Sequence, residues 1–228
     1  MPRRVVERVS TAPLSASRYR APAGLDVDDD NTLFSATAQA APFHTDSSDA
    51  TVFPDIAGLL CVDAGSSAED EGVLAFANGA NVWRAIERDA APAVRNRLRE
   101  PFAFDFIGRG FNDTQALSLE AHERNSFPVF SDGPRGLTVR YNKLWLERGA
   151  ARRDEAREAR GLARVDDPRL AGAVSAMEAA LAATPRLEVK MAPGDMVFTN
   201  NHRVLHARTA FNDVADARRH KSRVWIKY

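Results

Sequence analysis

The spacing of apolar positions changes several times along the chain, and each change marks a predicted element. Ile56–Asp63 reads IAGLLCVD, a short continuous apolar run of the kind expected for a strand covered on both faces. Val73–Phe76 predicts another short strand. Asn78 then reads as a helix N-cap, and Val82 and Ile86, four apart with Trp83 beside them, predict a helix through Ala90. Pro92 suits the first turn of a second helix ending near Pro101. Phe102, Phe104 and Phe106 alternate in FAFDF, which is strand spacing with one apolar face.

Ser131–Arg135 (SDGPR) is a turn signal, and Leu137–Asn142 predicts the strand leaving it. Residues 149–168 are dense in Arg, Glu, Asp and Ala and read as a solvated helix and loop. Leu170–Ala183 carries Val174, Met177 and Leu181 at helical spacing and is ended by Thr184-Pro185. Leu187–Lys190 and Met196–Thr199 flank a turn at Ala192–Asp195, and Ser222–Lys227 alternates again as a final strand. Near the other end, Thr32–Gln39 predicts a strand running towards His44. Strands dominate both ends and helices cluster between them. The fold class expected is mainly β with helical insertions, a β-sandwich or jelly roll. The mouth of such a barrel can hold a ligand.

Composition bounds the reading without changing it. With 228 residues the chain fits a single domain over 31–228, after an irregular leader at 1–30 rich in Pro, Ala, Ser and Asp. Lys+Arg and Asp+Glu both number 31, so no charge excess points to nucleic acid or to an acidic membrane. Cys61, the one cysteine, sits inside an apolar run and reads as a buried structural thiol. No signal peptide or membrane-spanning run is visible, so a cytoplasmic protein is expected.

The candidate chemistry is split across the chain. His44 and Asp46 sit in PFHTD, and His206 lies far downstream in NNHRVLHAR. Two imidazoles and one carboxylate can hold a metal on one face and leave the other open, as in non-haem Fe(II) oxygenases. On a strand, residues i and i+2 share a face, so His44 and Asp46 could reach one ion. His202 and His206 are four apart and could share a helical face, as in zinc sites. No Glu follows His202, however, and the strand–turn–strand context of 196–206 favours His206. Arg219 and Arg223 follow. Guanidinium binds carboxylate through two parallel hydrogen bonds, so an arginine inside the barrel could fix the far carboxylate of a keto acid.

Taken together, these residues resemble the taurine dioxygenase and clavaminate synthase-like superfamily of Fe(II)/2-oxoglutarate oxygenases. The resemblance runs over roughly residues 32–228. It is carried by Pro42–Asp46 with Pro54–Val62, by Val73–Ile86, and by Pro193–Arg208 with Arg219–Trp225. It implies a double-stranded β-helix, a jelly-roll or cupin-like barrel, with iron held by His44, Asp46 and His206. It further implies that 2-oxoglutarate and O2 are co-substrates, that Arg219 binds the far carboxylate of 2-oxoglutarate, and that Arg223 lies nearer the primary substrate. The implied reaction hydroxylates an unactivated C–H bond and releases succinate and CO2. Related halogenases have a small residue at the position of Asp46, so the aspartate favours hydroxylation, with desaturation or ring formation as other outcomes.

Two departures stand out. Many members carry a hydroxyl where Leu74 stands, and Thr37 or Ser35 are the candidate replacements. The leader is also short, so cover for the substrate would be absent or come from a second subunit in a homo-oligomer. Ser131–Asn142 resembles a segment near the substrate in amino-acid hydroxylases of this superfamily. Arg140 and Tyr141 become candidates to meet a carboxylate or amine. The expected substrate is a free amino acid or a similar small carboxylate, with taurine-like sulfonates and betaine-like compounds as competitors. Two other classes remain open. One is a metal-dependent hydrolase or isomerase on a cupin-like barrel that uses no keto acid. The other is a non-catalytic barrel that binds a small molecule.

Overall fold

The computed structural model describes residues 38–49, 53–65, 68–105, 118–211 and 219–227. The strands before the first helices are β1 (Ala41–His44), β2 (Ile56–Asp63) and β3 (Leu74–Asn78). Helices α1 (Gly79–Asp89) and α2 (Pro92–Leu98) follow, then β4 (Phe102–Ala103), α3 (Leu119–Arg124) and β5 (Ser126–Phe127). A hairpin of β6 (Phe130–Gly133) and β7 (Gly136–Val139) leads to α4 (Lys143–Glu158) and α5 (Leu170–Ala183). The chain closes with β8 (Arg186–Val189), β9 (Met196–Asn200), β10 (Val204–Arg208) and β11 (His220–Ile226).

Two antiparallel sheets build the barrel. One has the order β1-β10-β3-β8 and the other β11-β2-β9. Side-chain alternation then decides what each face meets. On β3, Leu74 and Phe76 turn inward, where they pack with Cys61 and Leu59 of β2, Val197 of β9, Val189 and Met191. Their neighbours on the other face point outward. Ala77 and its register partner Leu205 join the helical cluster, which includes Val82, Trp83, Ile86, Met177 and Leu181. The architecture is a jelly roll with helices layered on the outside of its four-stranded sheet. Burying one such aliphatic side chain contributes about 1.5–3 kcal/mol.

Local chemistry fixes the element ends. The Asn78 side chain accepts from Ala80 N–H at 2.9 Å and caps α1. Pro92 opens α2, where its missing N–H is not needed. Asn142 caps α4 by accepting from Trp145 N–H at 3.2 Å. That helix departs from the expectation of a solvated segment over 149–168. It starts at Lys143 and buries Trp145, Leu146, Gly149, Asp154 and Ala156. Within FAFDF only Phe102 and Ala103 pair as a strand, and Phe104 is buried beside them. Phe106 lies outside the described residues, as do the 1–30 leader, most of the Thr32–Gln39 strand, Ser35 and Thr37. The strand expected over Leu137–Asn142 ends at Val139, and Asn142 forms a lone bridge to His44. No helix among the described residues is long and apolar enough to cross a membrane.

Candidate metal centre and its cationic surroundings

β1 and β10 lie side by side with His44 registered against His206, a shift in register falling between Ala41 and His44. The two imidazoles are 4.3 Å apart, centroid to centroid. Asp46 does not reach them by strand alternation. β1 ends at His44, and Asp46 stands in the turn that follows, just before Ser47 at φ 53°. The turn carries the carboxylate round to the histidines. Asp46 Oδ1 lies 3.7 Å from His44 Nε2 and 3.5 Å from His206 Nε2. The three side chains offer ligand atoms that all lie within 4.8 Å of one another.

The turn is clamped from two directions. Asn201, fully buried, accepts from Asp46 N–H at 2.8 Å and donates from Nδ2 to Asp46 O at 2.9 Å and to Pro54 O at 3.2 Å. On the other side Thr45 N–H donates to Tyr141 O at 2.8 Å, and Tyr141 N–H donates to Thr45 Oγ1 at 3.1 Å. Arg140 Nε donates to Ser48 O at 2.6 Å, while its guanidinium stacks 3.4 Å from the Phe127 ring centroid.

A carbonyl can only accept, so the 2.8 Å contact between His44 Nδ1 and Pro42 O puts a proton on Nδ1 and leaves Nε2 turned towards Asp46. Burial alone would raise the Asp46 carboxyl, but the Arg223 guanidinium and then His206 hold it well below the usual carboxylate range. Burial, followed by the neighbouring His44, pushes the His206 imidazole below its usual value. One carboxylate and two imidazoles form a donor set that fits a divalent transition metal. His206 Nδ1 is buried and has no hydrogen-bond partner among the described residues.

Both Asp46 oxygens have further partners. Arg223 Nη1 donates to Oδ1 at 3.2 Å, and the indole Nε1 of Trp225 donates to Oδ2 at 2.9 Å. Arg219 sits further along the barrel and donates from Nη2 to Gly72 O at 3.1 Å. At φ +62° and with Arg219 Nε only 3.2 Å from where a Cβ would stand, position 72 favours glycine, since any other side chain would be strained there and would press on Arg219. Arg208 joins these cations from β10. Burial first, and then Arg219 and Arg223, lower its pKa to about 10. Beyond them, Lys221 Nζ donates to Cys61 Sγ, and the thiol itself is fully buried as expected.

Not every candidate converges. His202 accompanies Asp55, with 2.7 Å between His202 Nε2 and Asp55 Oδ1, and takes no part in the ligand cluster. Tyr141 turns into the core and donates its hydroxyl to Glu178 Oε1 at 2.7 Å, with burial and Glu178 raising its pKa. It is therefore not placed to meet a ligand beside the metal cluster, whereas Arg140 packs against the turn that bears Asp46. Asn201, Arg208 and Trp225 are the site residues that sequence reasoning missed. For Arg208 the sequence carries a signal, since it follows His206 by two positions, the spacing of one strand face.

A jelly roll that gathers two histidines and one carboxylate beside β1 and β10 has the donor set of a mononuclear metal site of the facial-triad type. The chain belongs to the taurine catabolism dioxygenase TauD, TfdA family, whose model matches residues 4–225. No curated protein matches it. Among solved structures it is similar to an asparagine oxygenase in complex with Fe(II), 3-hydroxyasparagine and succinate (17% identity, TM-score 0.58, 84% of this chain and 50% of that one). It is also similar to the non-heme iron oxygenase OrfP in complex with Fe (15% identity, TM-score 0.55, 83% and 51%). A third neighbour is PvcB, an Fe, alpha-ketoglutarate dependent oxygenase from an isonitrile synthetic pathway (15% identity, TM-score 0.51, 87% and 61%). These likenesses establish the fold. The chain spans about half the length of the first of these structures.

Proposed function

We propose that this protein is an Fe(II)- and 2-oxoglutarate-dependent dioxygenase that hydroxylates a free amino acid or a similar small carboxylate. The observation that carries the reading is the convergence of His44, Asp46 and His206, with Arg223 donating to Asp46 Oδ1. Similarity to oxygenases whose complexes hold hydroxyasparagine or hydroxy-L-Arg supports an amino-acid substrate.

His44, Asp46 and His206 would hold the metal, leaving the opposite face to small ligands. The metal, when bound, supplies the coupling of oxygen reduction to oxidative decarboxylation of the keto acid, with oxidation of a substrate C–H bond. The protein's own residues do the rest. Pro42 fixes the His44 tautomer, Asn201 sets the height of Asp46, and Trp225 holds the second carboxylate oxygen. Arg219 offers a fork to the far carboxylate of the keto acid. Arg140, locked against Ser48 and the Phe127 ring, is the candidate for the substrate's carboxylate.

The test is anaerobic addition of Fe(II) and 2-oxoglutarate, followed by oxygen. A visible charge-transfer band and later succinate release are expected. A mass-spectrometric screen of amino acids and small acids should then find a gain of one oxygen in the true substrate. Absence of both band and succinate would reject this function.

A further inference from the structure

β10 and the residue just before β11 lie in separate parts of the fold, yet they bring two guanidinium groups to one ring. Arg208 Cζ lies 4.7 Å and Arg219 Cζ 4.8 Å from the centroid of Phe211. The two side chains also meet at one end of β3. Arg208 is registered directly opposite Leu74, and Arg219 donates to Gly72 O two residues earlier. Along β10, Arg208 shares the interior face with His206. Two residues on a strand advance about 6.6 Å. That separation suits a short 2-oxo diacid whose near end chelates the metal at His206 and whose far carboxylate extends along β10.

Leu74, which faces Arg208 across the ladder, brings no hydrogen-bond donor to this end of the barrel. A carboxylate arriving there would meet cations on two of its sides. Each guanidinium presents several N–H groups in a planar fork, so two forks can share one carboxylate without competing for the same lone pair. Keeping such like charges together in a partly buried place is costly unless an anion enters between them. The Phe211 face, in contact with both, offsets part of that cost, and the Gln39 and Gly72 carbonyls, which accept from Arg208 and Arg219, orient the two groups.

We propose that Arg208 is a second cationic contact for the far carboxylate of the 2-oxo diacid, sharing that group with Arg219 across Phe211. Discrimination between a diacid and a monoacid co-substrate then depends on a pair of arginines, one from β10 and one from the residue just before β11. This inference rests on the keto-acid reading given above and adds a specificity-determining residue to it.

The test is equilibrium binding, without turnover, to protein loaded with Mn(II). Titration calorimetry compares 2-oxoglutarate with 2-oxovalerate, which keeps the chelating end and the chain length but ends in a methyl group. Wild-type protein should prefer 2-oxoglutarate. Arg208→Met, which keeps the aliphatic stem, should weaken 2-oxoglutarate binding by about tenfold to a hundredfold, the usual worth of a charged hydrogen bond. Binding of 2-oxovalerate should change by no more than about twofold, since it makes no such bond. Arg208→Lys should recover part of the lost preference, because it restores charge without the fork. Circular dichroism checks that each variant is folded, and Arg208→Gln replaces any that is not. Equal weakening of both acids, or an unchanged preference in the Arg208 variants while Arg219→Met abolishes it, would overturn the inference and leave the keto-acid reading standing. If wild-type protein bound neither acid, the function itself would fall, and this inference with it.

Discussion

The indole of Trp225 donates to Asp46 Oδ2 at 2.9 Å, while Oδ1 of the same carboxylate faces His44 and His206. The two oxygens have different surroundings: under the proposed function Oδ1 would face the metal, while the Trp225 bond to Oδ2 fixes the rotation of the carboxylate. Partners of this kind typically contribute a factor of about 10–100 to metal affinity. Trp225→Phe keeps the ring and removes the N–H. The expected outcome is weaker Co(II) binding by about that factor in a competition titration, with little change in thermal stability because the side chain is 41% exposed. An affinity equal to wild type would remove Trp225 from the metal centre.

Asn201 does comparable work from below the turn, but it is fully buried and makes three hydrogen bonds. Asn201→Ala would leave Asp46 N–H, Asp46 O and Pro54 O without these partners in a buried place. At about 1–3 kcal/mol for a buried unsatisfied group, a loss of roughly 2–4 kcal/mol is expected after partial relaxation. Asn201→Asp should be at least as harmful, because a carboxylate cannot donate to two carbonyls and adds charge near Asp46. Denaturant unfolding measures both, and a loss below about 0.5 kcal/mol for either would show that the clamp is not needed.

The members of the His44–Asp46–His206 cluster are legible in the sequence, and their geometry is not. His44, Asp46 and His206 are the right residue types in the right order. The expectation that Asp46 shares a strand face with His44 failed because the strand stops at His44 and a turn, clamped by Asn201, takes over. Nothing local in FHTD announces that stop, since it depends on a side chain 155 positions away. The pairing of Arg140 with Tyr141 as joint substrate contacts conflicted with strand geometry from the outset. Neighbouring residues in extended backbone face opposite ways, and the structure sends Tyr141 to Glu178. The inner face of α4 was hidden for a different reason. Its buried positions include Gly149, Asp154 and Ala156, which carry little hydrophobic signal.

Asp167 and Asp154 predict an acid-sensitive stability. Asp167 Oδ2 accepts from Arg97 Nε at 2.6 Å, and its Oδ1 accepts from Arg169 N–H at 3.0 Å. Asp154 accepts from Val165 and Asp166 N–H at 3.1 and 3.2 Å. Burial pushes both carboxyls up, but these donors win and hold both below their ordinary value. A depressed folded-state pKa means the unfolded chain binds protons first as pH falls. The stabilisation is therefore complete above the unfolded value of about 4 and is lost as pH drops through the depressed values. Unfolding midpoints should be nearly level from pH 7 to 5 and fall below about 4. Asp167→Asn should lower the neutral-pH midpoint and flatten the acid fall, and an unaltered acid slope would exclude this pair as its source.

Two helical glycines should respond to alanine in opposite directions. In α4 a Cβ on Gly149 would stand 2.3 Å from Ala103 O and 2.6 Å from Asp105 N, both backbone atoms. The helix rests directly on the 103–105 segment, where Asp105 N–H donates to Trp145 O at 2.8 Å, so neither side can yield without breaking that contact. In α5 a Cβ on Gly172 would meet nothing within 4 Å. Alanine is favoured over glycine in a helix by about 1 kcal/mol when nothing else changes. Gly172→Ala should therefore stabilise by about 0.5–1 kcal/mol. Gly149→Ala gains the same propensity but must displace backbone, and overpacking of this kind costs about 1–3 kcal/mol or more. A net loss is expected, read as a lower midpoint in urea with an unchanged slope. Stabilisation by both substitutions would mean that α4 does not approach β4 this closely.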